Sequence, residues 1–151
     1  VDTQGWLPQN AQARATNLLT KYYSSKDLDG VLSPNDTLAR GILTAVKAAG
    51  KSNPVITGQD SETASIPLIM NGTQYSTIYK DTNEEAAAAV TLVKQLAAGK
   101  KPSNVVNDAK QNNNGKKVVP AVELSPVLVT KDNAVEAYKN NATLEALAKK
   151  G

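Results

Sequence analysis

The stretch "PVITGQDSE", residues 54–62, joins a β-branched apolar run to an abrupt polar end. The apolar run is typical of a buried strand, whereas Gly58, Gln59 and Asp60 end it with a turn residue, an amide and a carboxylate. Two interpretations are open at this point. Either Asp60 or Ser61 caps the helix that follows, or the strand delivers a functional carboxylate to a ligand.

Short apolar strands alternate with helical patterns on both sides of this stretch. Apolar residues at spacings of three and four predict helices, and short β-branched runs predict strands. The predicted helices cover residues 9–26, 36–49, 61–72, 82–98 and 133–149, and the predicted strands cover 30–32, 54–58 and 74–81. Strands that alternate with helices pair in parallel. The predicted fold class is therefore α/β: a three-layer α/β/α sandwich with a mainly parallel sheet.

Local signals refine this order of elements. Pro67 lies inside the third predicted helix, so we expect that helix to be short or kinked. Thr82 and Glu85 match a capping box at the start of the fourth helix. Residues 100–117 are rich in Lys, Asn and Gly and predict a polar loop. Two prolines interrupt "VVPAVELSPVLVT", residues 118–130, which predicts an edge or crossing segment rather than a central strand.

The composition excludes several classes of function. The chain has 151 residues, enough for one domain with a core, and it contains no Cys and no His. Thiol nucleophiles, His-based triads and His or Cys metal sites are therefore excluded, and we predict no metal and no cofactor. The net charge is only +3 and the lysines are scattered, so no nucleic-acid partner is expected. A Gly-rich phosphate loop is also absent, which disfavours a Rossmann-like enzyme.

The termini and the hydropathy carry two further expectations. No segment approaches the roughly 18 apolar residues of a membrane-spanning helix. No signal peptide is visible, and the chain starts at Val1 without Met. We therefore expect a processed chain or a fragment.

Polar side chains follow three predicted strands at the point where each strand ends. These ends are Ser33–Asp36, Gly58–Asp60 and Tyr79–Asp81. The carboxyl ends of parallel strands meet at one edge of the sheet, where ligands of open α/β sheets bind. An amide, a carboxylate and an ammonium group in a small volume suit a ligand with many hydroxyl groups.

Each candidate residue also has a purely structural interpretation. Asn35 or Asp36 can cap a helix, as can Asp60. Lys80 can simply be solvated at a strand end, and Trp6, the only tryptophan, can belong to the core. The convergence of three strand ends keeps the binding-site interpretation open beside these, and it does not select a ligand.

Five motifs, taken together, resemble one known family. In chain order they are "GWLPQNAQA" (5–13), "DGVLSPNDTLARGIL" (29–43), "VITGQDSETAS" (55–65), "GTQYSTIYKDT" (72–82) and "VVPAVELSPVLVTKDN" (118–133). They resemble the sugar-binding proteins of bacterial ABC importers, within the xylose-binding and multiple-monosaccharide-binding branch. The resemblance extends from Gly5 to about Asn133 and keeps the order of the family's motifs.

The resemblance implies the type I periplasmic-binding-protein fold, in which two α/β lobes hold a pyranose in the cleft between them. It also implies roles for four residues of this chain. Trp6 packs on a face of the sugar ring, the Asn35 amide bonds ring hydroxyls, the Asp60 carboxylate accepts hydrogen bonds from two hydroxyls, and Lys80 donates to the sugar. Gln59 and Asp36, by the same resemblance, flank the site without direct contact.

This chain resembles only the C-terminal half of such a protein. Residues 1–81 and 118–151 then form the C-terminal sugar-binding lobe, and residues 82–117 form a hinge-crossing helix and loop that packs on the missing N-terminal lobe. The implied partners are a monosaccharide such as xylose, glucose or galactose, that N-terminal lobe, and the membrane permease of an ABC importer. The implied location is extracytoplasmic, either in the periplasm or at the cell surface as a lipoprotein, and the implied function is binding rather than catalysis.

Two consequences and one alternative follow from the resemblance. Half a cleft should bind sugar poorly, because closure of the lobes supplies contacts and excludes water. The apolar stripe of helix 83–98 is expected to find a partner by folding back, by dimerising or by swapping. The alternative is the effector-binding domain of a LacI-type transcription regulator, which has the same fold.

Overall fold

A computed structural model describes residues 2–101 and 113–151 of the chain. The chain separates into two compact units: Val1–Tyr79 with Val127–Gly151, and Lys80–Pro126. Most of the predicted polar loop 100–117 lies outside the described residues. The assignment of 82–117 to the surface of a missing lobe stays a prediction.

The first unit contains most of the regular structure and begins with a short 3₁₀ turn, Gln4–Trp6. Its strands are β1 (Gly30–Val31), β2 (Val55–Ile56), β3 (Thr77–Tyr79) and β4 (Val127–Val129). Its helices are α1 (Pro8–Tyr22), α2 (Asp36–Ala48), α3 (Ile66–Met70), α5 (Ala134–Ala137) and α6 (Ala142–Lys150). The second unit contributes α4 (Thr82–Ala97). Strands and helices alternate as predicted from the hydrophobic periodicity.

The strands form two short ladders that adjoin each other. β1 and β2 pair in parallel, and β3 and β4 pair antiparallel. Between the ladders, the Tyr75 N–H donates to the Ile56 carbonyl and the Asp60 N–H donates to the Ile78 carbonyl, each at 2.9 Å. These two bonds place β3 beside β2. The α/β class with parallel pairing is confirmed, and β4 joins as an antiparallel strand because the chain returns to it after α4.

The helices pack on these strands through three apolar clusters. One joins α1 to α2 around Leu19, Ala45 and Val46, and a second joins α2 to β2 around Leu43 and Ile56. The third joins β3 and β4 to α3, α5 and α6; its buried members are Ile66, Tyr79, Val129, Ala134, Tyr138, Leu144 and Ala148. Burial of these side chains supplies the main stabilising term of the unit.

Several predicted element ends are wrong by one or more residues. The third helix is reduced to Ile66–Met70, with Pro67 in its first turn rather than its interior, because proline is tolerated where the N–H has no helical partner. The Thr82 capping box is also wrong, since Asp81 is the N-cap and its carboxylate accepts from the Asn83 N–H at 2.9 Å. The terminal helix divides in two, and Asn141 caps the second part.

Gly41 provides a test of the packing between α1 and α2. A glycine to alanine change inside a helix ordinarily stabilises by about 0.5–1 kcal/mol. Here a Cβ on Gly41 would lie 2.4 Å from the carbonyl oxygen of Pro8, a backbone atom of α1. Overpacking of this kind costs about 1–3 kcal/mol. Gly41→Ala should therefore lower the free energy of unfolding in urea, whereas Lys47→Ala, on the exposed side of α2, should leave it nearly unchanged. A Gly41→Ala chain as stable as the parent would contradict this close approach.

The second unit exposes an apolar stripe. Within the described part of the chain no residue of α4 is buried, and Val90, Val93 and Leu96 remain 52%, 64% and 39% exposed. The expectation that this stripe finds a partner stays a prediction. Across residues 2–101 and 113–151, no helix combines the length and apolar character that crossing a bilayer requires.

Candidate functional site

The ends of β1 and β2 are joined by direct hydrogen bonds. The Asp36 N–H donates to the Gln59 carbonyl at 2.9 Å, and the Gln59 side-chain amide donates to the Pro34 carbonyl at 3.4 Å. Asn35 and Asp60 therefore follow neighbouring strands at the same edge of the sheet, as predicted from the order of the elements.

Asn35 is the N-cap of α2. Its side-chain oxygen accepts a hydrogen bond from the Leu38 N–H at 2.9 Å, and the residue is half-buried. The structural interpretation of Asn35 therefore holds. Capping uses only the side-chain oxygen, and the amide nitrogen, which is a donor, takes no part in the cap.

Asp60 lies at the end of β2 with an unusual backbone. Asp60 has φ 92° and Ser61 has φ 48°, both in the region that residues with a side chain seldom occupy. Neither residue caps α3, since that helix begins five residues after Ser61, at Ile66. The capping interpretation of these two residues is wrong. The carboxylate-bearing side chain of Asp60 is exposed at the strand edge.

Asp36 is fully buried and forms the centre of a polar network. Its Oδ1 accepts from Gln74 Nε2 at 2.7 Å, and its Oδ2 accepts from the Glu62 N–H at 2.9 Å and from Thr77 Oγ1 at 3.0 Å. Burial raises the pKa of Asp36 above its usual range, and the three donated hydrogen bonds act in the opposite direction. The network ties the start of α2 to β3 and to the chain after β2.

Glu62 carries a second, less buried cluster. Thr37 Oγ1 donates to Glu62 Oε1 at 2.5 Å, and Arg40 Nη2 donates to Glu62 Oε2 at 2.6 Å. Arg40 also donates to Ser65 Oγ at 2.8 Å. Burial raises the pKa of Glu62, but the hydrogen bonds from Thr37 and Arg40 and the positive charge of Arg40 together bring it below its usual range. This cluster fastens the segment after Asp60 to α2.

The C-terminal segment reaches the same loop through Tyr138. Its hydroxyl donates to Ser61 Oγ at 2.9 Å, and its ring packs edge-on against Tyr79 with centroids 5.1 Å apart. Burial raises the pKa of Tyr138 to about 12, so the phenol stays neutral near pH 7. The loop that carries Asp60 is therefore fastened from three directions: from α2, from β3 and from α5.

Trp6 is not part of the core. It is 58% exposed and follows Gly5 in a turn where both residues have positive φ. It lines a mainly apolar cavity of about 400 Å³ together with Leu32 and Pro34, which precede Asn35 at the end of β1. The structural interpretation of Trp6 is wrong, and its indole is available near the β1 end of the edge.

Lys80 follows the last residue of β3 directly and is exposed. It opens the second unit, so Trp6, Asn35 and Asp60 belong to the first unit and Lys80 does not. The predicted role of Lys80 stays an expectation from the resemblance.

Sequence reasoning missed the central position of Asp36, which it placed at the margin of the site. Gly58 was the residue of the sequence that could have indicated this position of Asp36. A Cβ there would lie 2.0 Å from Asp36 Oδ1 and 2.4 Å from Gln74 Nε2, so only glycine leaves room for the carboxylate. The positive φ of Asp60 had no local signal in the sequence, because the residues that surround it in the fold are distant in the chain.

Comparison with known proteins agrees with this geometry. Residues 1–101 match the model of the periplasmic binding protein domain. Over 138 residues the chain is 46% identical to the multiple sugar-binding periplasmic receptor ChvE of Rhizobium radiobacter, covering 88% of this chain and 38% of that protein. It is 38% identical over 130 residues to the D-xylose-binding periplasmic protein of Escherichia coli K12, covering 85% of this chain and 38% of the relative.

A solved structure shows the same fold. The ABC transporter solute-binding protein of Clostridium phytofermentans with bound β-D-glucose superposes with a TM-score of 0.82 at 32% identity, covering 94% of this chain and 45% of the other. The chain belongs to the periplasmic binding protein domain family, and the resemblance read from its motifs is confirmed. The chain spans about 38% of the length of the curated relatives it matches.

Proposed function

We propose that this chain is the C-terminal lobe of a monosaccharide receptor that serves a bacterial ABC sugar importer. The observation that carries the proposal is the exposed carboxylate of Asp60, held through a positive φ at the carboxyl end of β2 and next to the β1 end that bears Asn35. Strained backbone of this kind is typical of functional sites. The relatives named as sugar-binding and xylose-binding proteins supply the class of ligand.

The proposed site divides the work of binding among four side chains. Asp60 accepts hydrogen bonds from two ring hydroxyls, and the Asn35 amide donates to another. Trp6 covers a C–H face of the pyranose, since a rigid apolar ring removes that face from water and leaves the hydroxyls free to bond. Lys80, the residue directly after β3, is the fourth member, and the resemblance assigns it a hydrogen bond donated to the sugar. Bonds to charged groups are the stronger ones, so Asp60 is expected to contribute most.

The proposed receptor needs the remainder of its polypeptide. On this proposal residues 1–81 and 118–151 form the sugar-binding lobe, and residues 82–117 pack on the N-terminal lobe. Closure of the two lobes around the sugar excludes water, so the isolated chain should bind weakly. The receptor works outside the cytoplasm, where it delivers its sugar to a membrane permease. A regulator effector domain is less well supported, because the relatives described above are periplasmic receptors.

A chimaeric receptor tests this function. The matching 138-residue segment of the Rhizobium radiobacter receptor is replaced by the corresponding part of this chain. Isothermal titration calorimetry with xylose, glucose, galactose and arabinose should give saturable heat for at least one pyranose. A chimaera that unfolds cooperatively but binds none of these sugars would refute the proposal. The isolated chain, titrated in parallel, shows how much of the affinity one lobe supplies.

A further inference from the structure

Asp36 holds both ends of the loop that presents Asp60. Its backbone N–H donates to the Gln59 carbonyl before Asp60, at 2.9 Å, and its Oδ2 accepts from the Glu62 N–H after Asp60, also at 2.9 Å. One residue at the start of α2 therefore fixes the peptide groups on either side of the candidate ligand group.

The same carboxylate connects this loop to β3. Thr77 Oγ1 donates to Asp36 Oδ2 at 3.0 Å and accepts from the Ser61 N–H at 3.1 Å, so the Thr77 hydroxyl relays the contact to the residue after Asp60. Gln74 Nε2 donates to Asp36 Oδ1 at 2.7 Å. Asp36, Gln74 and Thr77 are all 0% exposed. Water therefore does not compete for these bonds, which strengthens each of them.

The loop backbone packs closely against the Asp36 carboxylate. A Cβ on Gly58 would lie 2.0 Å from Asp36 Oδ1, so the loop backbone passes directly over the carboxylate. The positive φ values of Asp60 and Ser61 are strained and persist only where surrounding contacts hold them. The contacts of Asp36 supply such a constraint.

We propose that Asp36 is a positioning residue for sugar binding, which acts through Asp60 by fixing the backbone of residues 59–62. The inference rests on the proposed function. It also explains why a carboxylate occupies this site. Three donors converge on Asp36, and only an ionised carboxylate offers acceptors in every direction, whereas an asparagine of the same shape places an NH₂ group against one set of donors.

A double-mutant cycle in the chimaeric receptor tests this role. Asp36→Asn should lower the affinity for the best-bound monosaccharide by roughly tenfold, the loss expected when a hydrogen bond to a charged group is weakened. In an Asp60→Asn background the same change should cost less than about twofold, because residues that act in series are not additive. An equal loss in both backgrounds, or no loss in either, would overturn the proposal.

Val46→Ala is the matched control for a merely structural effect. Val46 is 2% exposed and packs between α1 and α2, away from the contacts of residues 59–62. Its truncation lowers stability without touching the loop. At a temperature where every variant is fully folded, Val46→Ala should leave the sugar affinity unchanged. A loss of affinity in Val46→Ala as large as that in Asp36→Asn would show that a general destabilisation of the lobe explains both losses. That result would refute the proposal.

Hydrogen exchange in the isolated chain tests the positioning role of Asp36 in the absence of sugar. In Asp36→Asn the amides of residues 60–62 should exchange at least about tenfold faster, while the amide of Val46 should keep its rate. Unchanged exchange at 60–62 would refute the role of Asp36. Absence of sugar binding in the parent chimaera would instead refute the proposed function, so the two failures are told apart.

Discussion

Asp60→Ala in the chimaeric receptor should weaken monosaccharide binding by about 3–6 kcal/mol, roughly two to four orders of magnitude in the dissociation constant. On the proposed function, this variant loses two hydrogen bonds from the sugar to a charged acceptor in a closed, water-excluded cleft. The Asp60 side chain is exposed and does not belong to the apolar core, so the loss should appear in affinity rather than in stability. Calorimetry at pH 7 measures it directly.

Asp132→Ala is the control for this experiment. Asp132 is also an exposed aspartate, and it follows β4 at the opposite edge of the sheet, beyond the pair Thr77–Val129. Its truncation removes the same charge from the lobe and should change the affinity by less than about twofold, since exposed charges far from a ligand are screened. Full affinity in Asp60→Ala would refute the assignment of the ligand group, and an equal loss in both variants would reduce it to an effect of net charge.

Tyr138→Ala should lower the free energy of unfolding of the isolated chain by about 3–5 kcal/mol. Tyr138 is 0% exposed, stacks edge-on with Tyr79 and is the link between α5 and the loop at Ser61. Truncation opens a cavity and also leaves the Ser61 hydroxyl without its donor. Urea denaturation at pH 7, where the phenol is neutral, measures the whole effect.

Two further variants divide this effect into its parts. Tyr138→Phe keeps the ring and removes only the hydroxyl, so it should cost about 1 kcal/mol. Tyr75→Ala removes a tyrosine that is 57% exposed and should cost much less than Tyr138→Ala. Equal losses in Tyr138→Ala and Tyr138→Phe would assign the stability to the hydrogen bond instead of the ring packing.

Periodicity and turn residues were sufficient to predict the order of the elements. The apolar runs of β1 and β2 and the spacing in α1 and α2 depend on local sequence, and the structure places these elements within a few residues of their predicted bounds. The ends were harder to predict because adjacent residues compete for the same role. Asp81 and Thr82 are both good N-caps, and the contacts of the folded chain select Asp81.

The candidate site was only partly predictable, for a different reason. Family resemblance predicts that Trp6 and Asp60 are binding residues, whereas local rules favoured a core residue and a helix cap. The supporting contacts join residues that are far apart in sequence: 77 residues separate Tyr138 from Ser61, and 41 separate Thr77 from Asp36. Asp36 is also fully buried, which is unusual for an aspartate, because three hydrogen-bond donors contact its carboxylate. No local sequence pattern predicts that these distant residues come into contact.

Position 60 is subject to two opposing requirements. Its backbone, at φ 92°, is suited to glycine, the residue that adopts such a conformation without steric cost. Its proposed task requires a carboxylate, which glycine lacks. An aspartate here keeps the lobe less stable than the same fold could be, and selection for stability alone would replace it. The hydrogen bonds around this loop therefore offset the backbone strain of Asp60.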